Sequence, residues 1–116
     1  MPIHNPAVAA AAVNWTEYTE AETSPAAFNT WENWDLSAKG VPANALVFVH
    51  LRCAGARQTL GVRRNGSALV RSIFFLADEG QVWPVQADAD GIIERYVSNV
   101  AVVGKFAVLG WIEAQP

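Results

Sequence analysis

Hydrophobic residues recur along this chain in short runs divided by turn-forming pairs, and in several runs both alternating sets are apolar. Over residues 45–53 one set is Ala45, Val47, Val49, Leu51 and Cys53, while the other carries Leu46 and Phe48 before turning polar at His50 and Arg52. Side chains of a strand alternate between faces, so a strand with one wet face reads apolar-in and polar-out. The departure recurs further on: Leu69, Ile73 and Phe75 oppose Val70, Phe74 and Leu76, and Phe106, Val108 and Ile112 oppose Ala107, Leu109 and Trp111. Such runs predict sheets whose outer faces are buried against other chains. The residues assigned to that oligomer interface are Leu46, Phe48, Phe74, Leu76, Leu109 and Trp111.

Turn signals arrive at short intervals: Ser24-Pro25, Lys39-Gly40 ahead of Pro42, Ala54-Gly55, Asn65-Gly66, Glu79-Gly80, Asp90-Gly91 and Gly104. They delimit eight candidate strands, over 13–19, 30–36, 45–53, 59–64, 69–77, 81–87, 92–98 and 105–113. Only residues 21–28 offer material for a short helical turn. Eight short strands with no helical period predict an all-β fold, an eight-stranded antiparallel β-sandwich of jelly-roll-like layout. Residues 1–13 differ from the rest, because Pro2 and Pro6 bar a helix, no charge appears, and four alanines fill positions 9–12. We read them as an extended N-terminal arm ahead of a sandwich domain over 14–116.

Composition sharpens this picture. Of 116 residues 52% are hydrophobic and 16% charged, against about 25% charged in typical soluble domains, so little polar surface is left to cover the sheets. The net charge is −3, with the charges in blocks. Glu17, Glu20, Glu22, Glu32 and Asp35 precede any base; Arg52, Arg57, Arg63, Arg64 and Arg71 then follow without an acid. Pairing of the blocks within one fold is the preferred reading, and head-to-tail adhesion of copies is the other. No nucleic-acid partner is expected, since the arginines lack interleaved aromatics and the chain is acidic. The apolar runs are shorter than a membrane span and residues 1–13 lack the basic start of a signal peptide, so no membrane partner and a soluble, unsecreted product are expected.

Candidate chemistry is sparse. His4 and His50 are far apart and fit no metal-ligand spacing, and Cys53 with His50, three apart on a strand, point to opposite faces. No nucleophile elbow or phosphate-cradling loop is present. The run Asp88-Ala89-Asp90-Gly91 followed by Glu94 suits calcium in composition, but its glycine comes directly after the second aspartate and the EF-hand spacing fails. Asp90-Gly91 reads instead as a hairpin turn. No catalytic residue, metal or cofactor is therefore assigned. Five tryptophans, Trp15, Trp31, Trp34, Trp83 and Trp111, raise the alternative of sugar stacking. Trp31 and Trp34 face opposite ways and Trp111 lies in an apolar strand, so core or interface duty is expected for most of them.

Several local motifs are similar to those of a known group. Trp34-Asp35-Leu36-Ser37, Val41-Pro42-Ala43 and the following strand, Gly61-Val62-Arg63-Arg64-Asn65-Gly66-Ser67, Asp88-Ala89-Asp90-Gly91-Ile92-Ile93-Glu94 and Val108-Leu109-Gly110-Trp111-Ile112 resemble small sandwich domains of tailed-phage virion proteins, over about residues 30–113. These motifs mark turns and core strands. The resemblance implies a head decoration, or cement, protein: a homotrimer on the capsid surface of the virion, made in the host cytoplasm, that stabilises contacts between major capsid proteins. On that reading Pro2, Ile3, His4, Pro6 and Val8 of the arm contact the capsid. The alternative is a receptor- or glycan-binding module of a tail tip or fibre. The group carries no catalytic residues to transfer.

Overall fold

All eight predicted runs form strands in the structure, a computed structural model that describes residues 14–114. They are β1 (Trp15–Glu17), β2 (Thr30–Asp35), β3 (Leu46–Cys53), β4 (Gln58–Arg64), β5 (Ser72–Phe75), β6 (Gly80–Gln86), β7 (Ile92–Val97) and β8 (Gly104–Ile112). The arm predicted over 1–13 lies outside the described residues. The strands make two four-stranded antiparallel sheets, ordered β1-β8-β3-β6 and β2-β7-β4-β5. The four pairs β4–β5, β3–β6, β2–β7 and β1–β8 are thus nested, each enclosing the last, and they alternate between sheets. No helical turn forms over 21–28, where Pro25 is buried and Thr23 bridges Phe106. Single 3-10 turns occur at Ser37–Lys39 and Ala101–Val103 instead.

The core lies between the sheets and follows strand alternation. Val47, Val49, Leu51 and Cys53 of β3 are fully buried, as are Leu60 on β4, Phe75 on β5, Ile93 and Val97 on β7, and Phe106 on β8. Leu36, Val41 and Ala45, from the connection between β2 and β3, plug one end of it.

One predicted face is overturned by a bulge. β3 and β8 pair Leu51 with Phe106 and Val49 with Val108, but the next pair is Phe48 with Gly110, so Leu109 is an extra residue with no partner on β3. A strand has a side-chain period of two, and one inserted residue exchanges faces beyond it. Trp111 therefore turns inward opposite Val47 and is 4% exposed, while Leu109 is thrown out to 37%. The assignment of Trp111 to an outer interface is corrected: it is a core residue packed against Tyr18 at 5.8 Å. Gly110 permits the bulge because a Cβ there would run into the Trp15 ring and the Thr16 carbonyl of β1.

A second correction concerns Asp90-Gly91. The turn forms, with Gly91 at φ +77°, yet β6 and β7 on either side of it belong to opposite sheets, so it is a corner and no hairpin. Asp88 holds the corner: its Oδ1 accepts the backbone N–H of Asp90 at 2.8 Å and of Ile92 at 2.9 Å, and its Oδ2 accepts from Asn65 at 2.8 Å. Burial works to raise its carboxyl, but the hydrogen bonds and the nearby Arg64 outweigh it and hold the group below its ordinary value of 3.8.

Two predictions follow from this packing. Trp111→Ala should lower unfolding free energy by about 3–5 kcal/mol, as for other large buried aromatics, read from urea melts. Asp88→Ala should remove about 1 kcal/mol per lost hydrogen bond at neutral pH. A carboxyl with a lower pKa in the folded state stabilises the fold above its unfolded value and loses that contribution as pH falls through the folded one. Between about pH 5 and pH 3 the wild type should thus lose more stability than the variant.

Candidate interaction surfaces

Residues Trp15 to Ser24 run along the free side of β8, and their acids are clasped there. Just after β1 the Tyr18 N–H still donates to the Leu109 carbonyl at 2.9 Å, and the backbone then returns to β8 at Thr23, whose N–H and carbonyl bond Phe106 at 2.9 and 2.8 Å. In the gap the Glu20 carboxylate substitutes for a strand, accepting the Val108 N–H at 2.6 Å and pairing with Lys39. Glu22 grips Arg52 in a two-pronged pair at 2.8 and 3.0 Å, and the arginine draws the Glu22 carboxyl below its ordinary value. Glu32 accepts from Arg95. Arg95 is buried against the Trp34 ring at 4.4 Å and also donates to Thr23 Oγ1 and the Ser24 carbonyl. The charge blocks of the sequence thus pair within the fold in part: Arg52 and Arg63 meet Glu22 and Glu94, while Arg57 and Arg71 enter no ion pair among the described residues.

The outer face of the β1-β8-β3-β6 sheet is apolar at one end and charged at the other. Leu46 is 38% exposed; Phe48 is half-buried beneath the edge of Trp15, with ring centroids 5.6 Å apart. Pro84 lies opposite Phe48 and Ile112 opposite Leu46. Toward the far end come His50 and the Arg52–Glu22 pair. Cys53 faces the core, so it and His50 are on opposite sides of β3. Its thiol donates to the Ala56 carbonyl, and burial pushes its pKa up.

The other sheet carries a different surface. On its outer face Trp31 stacks on Tyr96 at 5.1 Å, and the Arg63 guanidinium sits 4.1 Å over the Trp31 ring while pairing with Glu94. At its β5 edge stand Phe74 and Leu76, each 56% exposed, with Leu69, Val70 and Ile73 beside them. Between this edge and β6 an open cleft of about 900 Å³ is lined by Val62, Arg64, Ile73, Trp83 and Val85 among others. Among the described residues no three of His, Cys, Asp and Glu cluster as metal ligands, and no helix is long and apolar enough to cross a membrane.

Of the six residues assigned to an interface, the structure separates them into three places. Leu46, Phe48 and Leu109 lie on the outer side of one sheet, Phe74 and Leu76 lie beside β5 in the other, and Trp111 is in the core. The arm residues Pro2, Ile3, His4, Pro6 and Val8 lie outside the described residues. Sequence reasoning missed the exposure of Leu69 and Val70, which it placed inside a strand over 69–77. β5 begins only at Ser72. It also missed Trp15, exposed at 42% on an edge strand. Two tryptophans, Trp34 and Trp111, are core; Trp31 and Trp83 are half-buried. Comparison with family models, with curated proteins and with solved structures gave no match.

If the outer apolar face is a contact surface and no part of the core, Leu46→Lys with Leu109→Lys should leave thermal stability within about 0.5 kcal/mol per site. The same double variant should bind less of a hydrophobic fluorescent dye.

Proposed function

We propose that this chain is a structural interaction protein of a tailed-phage virion, a head decoration protein that sits on the outside of the capsid and clamps neighbouring major capsid proteins. The sandwich is then a jelly roll, a reading supported by the nested, sheet-alternating strand pairs. The observation that carries the functional reading is the amount of apolar surface facing outward: Leu46 and Leu109 on one sheet and Leu69, Val70, Phe74 and Leu76 by the other are all substantially exposed. Monomeric soluble proteins rarely expose contiguous apolar patches of this kind, and those that do use them as contacts. The motifs shared with virion sandwich domains support the same location.

On this proposal the protomer is a homotrimer whose three-fold contact uses the Leu46, Phe48 and Leu109 side, with residues 1–13 contributing to the capsid contact. A multivalent clamp gains avidity because each further contact is made at high effective concentration. The outward, half-buried Trp31–Tyr96 pair favours a second reading, a glycan-binding module at a tail tip, since outward-facing aromatic rings can stack on sugars.

Immuno-gold electron microscopy of particles from the source culture separates the readings. Label over the heads is expected; label at tail tips would favour the second reading, and particles free of label would remove both. Deleting residues 1–12 should leave the sandwich folded by circular dichroism and reduce head labelling when the truncated protein is added back to undecorated particles.

A further inference from the structure

We propose that two copies of this chain join by antiparallel pairing of their β5 strands, extending the β2-β7-β4-β5 sheet across a two-fold axis. The proposal needs self-association only and does not depend on attachment to a capsid.

A sheet edge offers unpaired backbone groups to any extended chain, and folded proteins blunt such edges with charge, proline, cover or brevity. Three of the four edge strands here are treated in these ways. β1 has three residues and leads into the Glu17-to-Glu22 segment held on β8. β2 carries Glu32 and Asp35, and β6 carries Pro84 at its centre. β5 is short, with four residues, but between Ser72 and Ala77 the chain has neither a charge nor a proline. Its side chains are exposed on both faces of the edge, Ile73 at 44% and Phe74 at 56%, and Leu76 continues the strip. A sticky, unblunted edge stands alone in a fold that protects the others.

Charge selects the occupant and its direction. Arg71 is exposed at the start of the strand and enters no ion pair among the described residues. The exposed Asp78 stands just beyond the strand's end, followed by Glu79. Antiparallel pairing of two copies brings the basic start of each strand to the acidic end of the other, at both ends at once, whereas parallel pairing would set Arg71 against Arg71. A second copy is therefore a complementary partner, and a two-fold contact is satisfied by one patch used twice. Directly opposed residues of an antiparallel pair share a face. With the axis at Phe74, the exposed Phe74 rings meet on the outer face, and the exposed Ile73 of each copy falls in register with the second copy's Phe75, whose own ring stays in its core. The exposed Leu69 and Val70 flank this contact, so the pairing would also cover the mouth of the cleft beside β5.

The chain's single cysteine makes the test direct, because Cys53 is fully buried. Phe74→Cys places one accessible thiol on the axis, at a Cα spacing a disulfide can bridge. Mild oxidation of this full-length variant should give a covalent dimer on a non-reducing gel, at least ten times faster than Phe28→Cys, a comparably exposed control beside β2 at the opposite edge of the sheet. Phe74→Lys, an exposed position where folding is checked by circular dichroism, should weaken self-association at least tenfold in sedimentation velocity. The proposal is overturned if the two cysteine variants cross-link at equal rates, or if Phe74→Lys associates as the wild type does. It is also overturned if the wild type is monomeric and associates only when residues 1–12 are deleted, since the chain's own segment would then occupy the edge. A trimer that persists in Phe74→Lys and shows no Phe74→Cys dimer would overturn this contact and leave the proposed three-fold contact standing.

Discussion

The ladder between β3 and β8 is the interaction on which the remaining structure depends. It is the longest strand pairing in the fold, running from Leu46 opposite Ile112 to Cys53 opposite Gly104. It presents Val47, Val49, Leu51, Phe106, Val108 and Trp111 as one apolar wall, against which the opposite sheet sets Leu60, Ile93, Val97 and Phe75. Burying these faces is the main driving force available to a chain with no disulfide. The backbone pairing supplies hydrogen-bond partners to the peptide groups that this burial takes out of water. The bulge at Leu109 belongs to this ladder and decides what it buries. Without the extra residue Trp111 would face out, and the core would lose one of its two buried tryptophans.

Electrostatics works here by closing gaps that the sheets leave open. Glu20 replaces a backbone acceptor for Val108, and Arg95 fills a partly buried slot against Trp34 where a guanidinium can stack and still make hydrogen bonds. Burial pulls the Arg95 pKa down while Glu32 opposes that shift. A buried charge with its partners removed is costly. The clasp therefore pins the segment leading into β2 to the rest of the sandwich. Among the described residues five ion pairs are made inside the protomer, and exposed apolar residues such as Leu46, Leu109, Phe74 and Leu76 stand outside them, which ties the internal pairing to the proposed contact function.

Those outward surfaces differ in kind. The face with Leu46, Phe48 and Leu109 is a sheet surface, broad and partly filled by Trp15, and suits side-chain packing against another protein. The β5 edge adds free backbone groups to exposed side chains, and so suits strand pairing with directional specificity. The Trp31–Tyr96–Arg63 stack is already occupied by its own contacts and by the Glu94 pair. Its rings are less available than their outward direction alone implies.

Most of the fold was legible from residue order, because strand alternation and turn chemistry are local. Residues 45–53 alternate as they do whatever they pack against, and Asn65-Gly66 or Asp90-Gly91 turn the chain with only near neighbours involved. The eight strands, the all-β class, the inward Trp34 and the buried Cys53 follow from that. What local chemistry leaves open is which strands a turn connects and how registers adjust between distant strands. Asp90-Gly91 looks the same at a hairpin and at a corner between sheets; the partners of β6 and β7 decide. The place of Trp111 depended on a one-residue slip between β3 and β8, strands separated by half the chain, and its apolar run of 105–113 reads equally well in either register. The exposure of Leu69 and Val70 had the same origin, since only pairing with β4 determines that β5 begins at Ser72. The sequence by itself determined the elements and the apolar excess, through rules acting over a few residues; the tertiary structure alone decided which apolar residues that excess leaves on the outside, because that depends on long-range pairing.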